Sequence, residues 1–188
     1  MLRSASRVGS RPLALTLLSL LALATLAACA DGAAPTAPER STELAARDAA
    51  TSADAAAALA TLRRVTARYH DLDAALDDDF VLLHECESIE GEGPVGIVYF
   101  SPERTMDGVV DVTRPDALIY EPSGNGKPTL VGVEFAVPNL GQPAPQFLGA
   151  TFQNETDIGV YALHVWVWRP NPAGMFAETN SRVSCGVE

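Results

Sequence analysis

The stretch TLVGVEFAV, residues 129–137, decides the fold class of this chain. Its large apolar side chains occupy every second position: Val131, Val133, Phe135 and Val137. Successive side chains of a β-strand point to opposite faces of a sheet. The pattern therefore predicts a strand with one buried face and with Glu134 on the other face.

Further segments, punctuated by Gly and Pro, predict the rest of the sheet. The candidate strands are Val81–Glu87, Val95–Phe100, Ala117–Tyr120, Phe147–Phe152 and Val160–Trp168. Ser101-Pro102-Glu103 is typical of the capped start of a helical turn, and residues 122–127 are typical of a hairpin loop. Because these short strands follow one helical segment, we expect a mainly antiparallel sheet with a helix on one face.

An amphipathic helix is predicted before the strands, with Ser52 as its cap. Its apolar stripe has spacings of three and four residues: Leu59, Leu62, Val65, Tyr69, Leu72 and Leu76. A bend near His70 and Asp71 is compatible with this pattern. Negative charge is unfavourable at a helix C-terminus, so the helix should end before or among residues 77–79. The expected fold is a single α+β domain over residues 52–188.

The N-terminus is typical of a lipoprotein signal peptide over residues 1–28. Arg3, Arg7 and Arg11 precede an apolar run that ends in Leu26-Ala27-Ala28-Cys29. The run is shorter than the ~20 residues that a bilayer-spanning helix needs, and it ends in small residues as a cleavage site does. We therefore expect lipidation of Cys29 and export to the cell membrane or outer membrane, with plain secretion or a retained anchor as the alternatives. Ala30, not an Asp, follows Cys29, so if the host has two membranes the resemblance to sorted lipoproteins favours the outer one.

Residues 29–51 are predicted to form a flexible tether, because they contain Leu44 as their one large apolar residue. The whole chain of 188 residues carries 13 Lys and Arg against 24 Asp and Glu, a net charge of −11. This acidity argues against a nucleic-acid partner, which requires clustered positive charge. We interpret it mainly as a solvated acidic surface.

The two remaining cysteines, Cys86 and Cys185, are predicted to form a disulfide bond in the oxidising compartment that an exported protein enters. Their sequence separation lacks the close C-x-x-C spacing of many metal or redox pairs. The bond would attach the C-terminal tail to the first strand.

Two histidines are the candidate functional residues. His84 lies beside Glu85, Cys86 and Glu87, but strand parity puts the two carboxylates on the face opposite to His84. Packing beside the disulfide is the alternative to a role as ligand or base.

The second histidine, His164, shares a predicted strand face with Trp166 and Trp168. These residues could line a small-ligand pocket or belong to the core. His84, His164 and Glu134 together could also hold a divalent metal, although no tight ligand spacing supports this. The sequence has no nucleophile elbow and no phosphate-binding loop, and it predicts no cofactor.

Several short blocks lie along the chain at residues 96–100, 114–122, 130–135, 164–168, 171–176 and 183–185. Together and in this order they resemble a family of uncharacterised exported bacterial proteins. Relatives in this family often have His where this chain has Val98 and Pro170, whereas His164 and the two domain cysteines match. The resemblance implies one domain closed by Cys86 and Cys185, with His164, Glu121 and Glu134 as the remnant of a site. It implies no substrate, cofactor or partner.

A tethered domain without a catalytic constellation is commonly a binding module. We therefore expect a non-enzymatic protein of the cell envelope that binds a small ligand or another protein. The alternative is a metal-binding or hydrolytic envelope enzyme that uses His164 with His84 or Glu134.

Overall fold

The computed structural model describes residues 37–124 and 126–186. The predicted signal peptide and Cys29 lie outside the described residues. The helices are α1 (Ala37–Thr66), a 3₁₀ turn (Ala67–His70), α2 (Leu72–Leu76) and α3 (Pro102–Asp107). The strands are β1 (Val81–Ile89), β2 (Gly93–Phe100), β3 (Ala117–Glu121), β4 (Thr129–Pro138), β5 (Gln146–Phe147), β6 (Ala150–Thr151), β7 (Gln153–Glu155) and β8 (Val160–Val165).

The helical region starts earlier than the sequence predicts and bends where predicted. α1 begins at Ala37 and includes residues 37–51 of the predicted tether. The bend is at Asp71, whose extended backbone separates the 3₁₀ turn from α2. This break changes the helical phase, so Ala75 is buried in the core and Leu76 is half exposed. The prediction that Leu76 belongs to the buried stripe was wrong for that reason.

Six strands form one antiparallel sheet in the order β1-β2-β3-β4-β8-β7, while β5 and β6 form a separate hairpin. The chain is thus an α+β domain, as expected. β4 lies in the interior of the sheet, and its residues from Leu130 to Val137 are buried. The face of β4 that carries Glu134 is therefore buried as well, which alternation alone did not indicate.

α1, the 3₁₀ turn and α2 cover one face of the sheet, and the main apolar core lies between these helices and the sheet. The largest buried residues of this core are Leu62, Phe80, Leu118, Tyr120, Phe135 and Leu163. The hydroxyl of Tyr120 donates a hydrogen bond of 2.7 Å to the carbonyl oxygen of Tyr69. This bond joins the 3₁₀ turn to the middle of the sheet and satisfies a polar group inside the core.

The opposite face of the sheet is partly covered by the C-terminal tail, residues 169–186. Val183 packs there against Val131 and Trp166, and the amide of Asn180 donates to the carbonyl oxygen of Pro94 at 2.9 Å. Cys86 and Cys185 lie at disulfide-bonding distance, with 5.3 Å between their Cα atoms. The tail is therefore attached to β1 as predicted.

Two predicted strands differ from the observed ones. The segment Phe147–Phe152 contains a tight turn, because Leu148 and Gly149 have positive φ angles of 54° and 80°. It is accordingly divided between β5 and β6. The last strand ends at Val165 rather than Trp168, because the amide of Val167 donates to the carbonyl oxygen of Val165 at 2.9 Å. Such a bond between residues i and i+2 turns the chain out of the sheet.

The close approach of β2 and β3 requires glycine at position 96. Gly96 has φ of 109°, and a Cβ atom there would lie 2.7 Å from the carbonyl oxygen of Tyr120. This is one of the irregularities that let β2 curve, and with it the edge strand β1.

Candidate functional site

A buried ion pair lies in the centre of the tail-side face of the sheet. Glu134 of β4 and His164 of β8 are directly opposite each other in the strand register. The His164 Nε2 atom lies 3.2 Å from Glu134 Oε2, and each side chain is 9% exposed. The pairing of these two residues across neighbouring strands thus places a charged pair on a face of the sheet that is buried under the tail.

Both ring nitrogens of His164 are used within the protein. Nδ1 donates to the carbonyl oxygen of Glu178 in the tail at 2.6 Å, and Nε2 donates to Glu134. Burial by itself lowers the pKa of His164, but the hydrogen bond and charge of Glu134 outweigh it and raise the pKa to about 9. At neutral pH the ring is an imidazolium, which has no lone pair for a metal ion or for a substrate proton.

A cavity of about 320 Å³ opens beside this pair. Its walls come from β1, the turn between β7 and β8, the tail and the sheet itself. Its acidic lining residues are Glu87, Glu134, Glu155, Asp157 and Glu178. Within the described part of the chain, no Lys or Arg lines this cavity. We call this region the acidic end.

Glu155 shows how the carboxylates of the acidic end affect one another. Burial raises the pKa of Glu155, and the negative charge of Glu178 raises it further. The charge of His164 lowers the pKa of Glu155, but by less than burial and Glu178 raise it. The acidic end therefore has an excess of negative charge beyond what the single imidazolium compensates.

An apolar pocket of about 290 Å³ adjoins the acidic end. The two cavities share Leu83, Glu134 and Ile158. The remaining lining residues of the second pocket are Phe100, Thr105, Met106, Ala117, Ala136 and Val160. We call this region the apolar end, and the two ends together the cleft.

Two polar atoms near the apolar end have no partner among the described residues. They are Oγ1 of Thr105, a lining residue that is 8% exposed, and Oδ1 of the fully buried Asp116. The other carboxylate oxygen of Asp116 accepts a hydrogen bond from the amide of Ala136 at 3.0 Å. Burial raises the pKa of Asp116 to about 7. Buried polar groups are usually paired, so these two distinguish the apolar end from an ordinary core.

His84 lies on the wall of the same cleft, as the sequence allowed. Its Nδ1 donates to the carbonyl oxygen of Glu85 at 2.9 Å, and its Nε2 lies 3.5 Å from Glu87. Strand parity predicted Glu87 on the opposite face, which was wrong. The pairing of β1 with β2 is irregular between His84 and Glu87, so the two side chains reach the same cavity.

The two tryptophans do not line the cleft. Trp166 is buried under the tail and donates from Nε1 to the carbonyl oxygen of Ala177 at 2.6 Å. Trp168 packs on the helix side, where its ring lies 4.4 Å from that of His70 and its Nε1 donates to Thr66 Oγ1. Trp166 shares a face with His164 as expected, with 6.0 Å between the two ring centroids. The expectation was wrong for Trp168, because the strand ends at Val165.

Glu121 also lies outside the cleft. Its carboxylate pairs with Arg169, and its other oxygen accepts from the amide of Ser184 at 3.0 Å. These bonds attach both ends of the tail to β3. Glu121 thus has a structural role in holding the tail over the sheet.

Several cleft residues carried no recognisable signal in the sequence. Glu155 is the last residue of the short strand β7, Asp157 and Ile158 belong to the turn that follows, and Glu178 belongs to the irregular tail. Thr105 and Met106 belong to the short helix α3, which packs beside β4. Only the curvature of the sheet and the path of the tail bring these residues together.

Among residues 37–124 and 126–186, no three His, Cys, Asp or Glu side chains are arranged to hold a metal ion. Within the same residues, no helix combines the length and the hydropathy that crossing a bilayer requires. Comparison of the chain with protein-family models, curated proteins and solved structures gave no match.

Proposed function

We propose that this protein is a non-enzymatic binding protein of the cell envelope that holds a small ligand in the cleft. The observation that carries the proposal is that the acidic end and the apolar end adjoin, with Leu83, Glu134 and Ile158 lining both. Small-molecule sites are concave and largely apolar, with a few fixed polar groups, and typically have volumes of about 300–1,000 Å³. The cleft combines these features at the lower end of that range.

The position of His164 favours binding over catalysis. A general base needs a free nitrogen within hydrogen-bond reach of the substrate. Both nitrogens of His164 already donate, one to Glu134 and one to the tail carbonyl of Glu178. The ion pair is better suited to fix the strands and the tail around the cleft than to transfer protons.

Ligand binding is tested with Nile red, a neutral dye that fluoresces in apolar surroundings. We expect saturable binding of one dye per protein. Met106→Glu, at a rim residue that is 67% exposed, should weaken binding about tenfold because it places a charge beside the apolar end. Leu140→Glu is the matched control, since Leu140 is 87% exposed and does not line the cleft.

The two variants should have the same stability as the parent protein, because both positions are exposed. Unsaturable dye binding, or equal losses in both variants, would contradict the proposed function.

We further propose that Cys29 carries the lipid that attaches this binding domain to a membrane. The lipobox at residues 26–29 supports this part of the proposal. Cys29→Ser should move the protein from the membrane fraction to the soluble fraction of the envelope. Immunoblotting of fractionated cells locates the protein. Retention of the variant in the membrane fraction would contradict the lipid anchor.

A further inference from the structure

The charges in the cleft are distributed unevenly along its length. Glu134 is neutralised by His164, which leaves Glu87, Glu155, Asp157 and Glu178 at the acidic end. Within the described part of the chain, Glu155, Asp157 and Glu178 form no ion pair with Lys or Arg. Carboxylates crowded in a partly enclosed space repel one another, and a cation placed between them relieves that repulsion.

The apolar end supplies a second and independent observation. Thr105 lines that end, is more than nine-tenths buried, and has a hydroxyl without a partner among the described residues. A buried hydroxyl without a hydrogen bond is costly, and a polar atom of a bound molecule would remove that cost. The exposed side chains of Met106 and Ile158 at the same end are further apolar surface that a ligand could cover.

We infer that the ligand of the cleft is a small organic cation, an amine joined to a mainly apolar body, with its ammonium group at the acidic end and its body, including one hydrogen-bonding atom beside Thr105, at the apolar end. This inference rests on the proposed function and specifies the chemical class of the ligand. An anion would be repelled by Glu155, Asp157 and Glu178, which form no ion pair with Lys or Arg within the described residues. A bare metal ion would leave the apolar end empty and would lack a preformed ligand set in the described residues.

The test compares octylamine, 1-octanol and octanoate, which share a chain length and differ in charge. Each is titrated against the protein with bound Nile red at pH 7.5 in an amine-free buffer. We expect octylamine to displace the dye at the lowest concentration and octanoate at the highest. The advantage of octylamine over octanol should shrink between about 0.05 and 0.5 M NaCl, because salt screens partly exposed charges.

The double variant Glu155→Gln/Asp157→Asn removes two charges from the acidic end. It should weaken octylamine binding by about two- to fivefold per charge and leave octanol binding unchanged. Glu90→Gln is the matched control, because Glu90 is an exposed carboxylate in the turn after β1, outside the cleft.

The outcomes separate this inference from the proposed function. If Nile red binds but octanol or octanoate competes as well as octylamine, the cation class is wrong and the binding function stands. The cation class is also wrong if the double variant and Glu90→Gln weaken octylamine equally. If Nile red does not bind at all, the proposed function is wrong, and the inference that rests on it is wrong with it.

Discussion

Removal of the bond between Cys86 and Cys185 should lower the free energy of unfolding by about 4–5 kcal/mol. The two cysteines are separated by 99 residues, and cross-linking so long a loop strongly restricts the unfolded chain. The bond also holds the tail against β1, next to the wall of the cleft. We therefore expect Cys86→Ser/Cys185→Ser to unfold at a much lower urea concentration than the parent protein.

The matched control is the parent protein in a reducing agent, which should unfold at the same urea concentration as the double variant. Mass spectrometry under non-reducing conditions should find the parent two protons lighter than its reduced form. Two free thiols in the unreduced, denatured protein would contradict the disulfide.

Glu134→Gln should reduce the stability at pH 7 by about 2–3 kcal/mol. The variant keeps the shape of the side chain but removes the charge that holds His164 protonated, so an imidazolium would be left buried without its counterion. His164 would then become neutral at pH 7, because burial alone lowers its pKa. An NMR titration of the His164 ring would measure this change.

The pH dependence of stability follows from the same ion pair. The pKa of His164 is raised to about 9 in the folded protein, above the ordinary value of 6.5. The folded state therefore binds its proton more tightly than the unfolded state. The stabilisation is complete below pH 6.5 and is lost as the pH rises through 9.

Urea unfolding between pH 6 and 10 should show this loss in the parent protein and not in Glu134→Gln. Glu87→Gln is the matched control in the same cleft, since the Glu87 side chain is 55% exposed and its pairing with His84 is worth at most about 1 kcal/mol. Identical pH profiles for the parent and Glu134→Gln would show that the buried pair does not stabilise the fold.

The strands could be predicted because their local patterns agree with their tertiary roles. β4 spans Thr129–Pro138, and from Val133 onward it keeps the predicted alternation, with Val133 and Phe135 in the helix-side core. Val131 was predicted on that same face but packs on the tail side, because the pairing of β3 with β4 is irregular between Ile119 and Tyr120.

The prediction failed where a local backbone turn overrides side-chain preference. Leu148 and Gly149 divide an apolar run by their positive φ angles, and the turn at Val167 removes Trp168 from the last strand.

Only the residues at the centre of the cleft could be predicted from the sequence. Glu134, His164 and His84 stood out because polar residues in apolar strands are unusual. Their neighbours Thr105, Ile158 and Glu178 come from a short helix, a turn and the tail, which are distant in sequence. No periodicity connects such segments, so their convergence follows from the curved sheet and from the attachment of the tail.

The most direct test of the binding function is an NMR map of the cleft with 1-octanol, a neutral molecule whose binding does not depend on the charge of the ligand. The binding function predicts saturable shifts of the backbone amides of Met106, Ala136, Ile158 and Val160, and unchanged signals for Leu76 and Leu140 outside the cleft. Shifts centred on Leu76 or Leu140, or shifts that rise without saturation across the whole surface, would contradict a small-ligand site in the cleft.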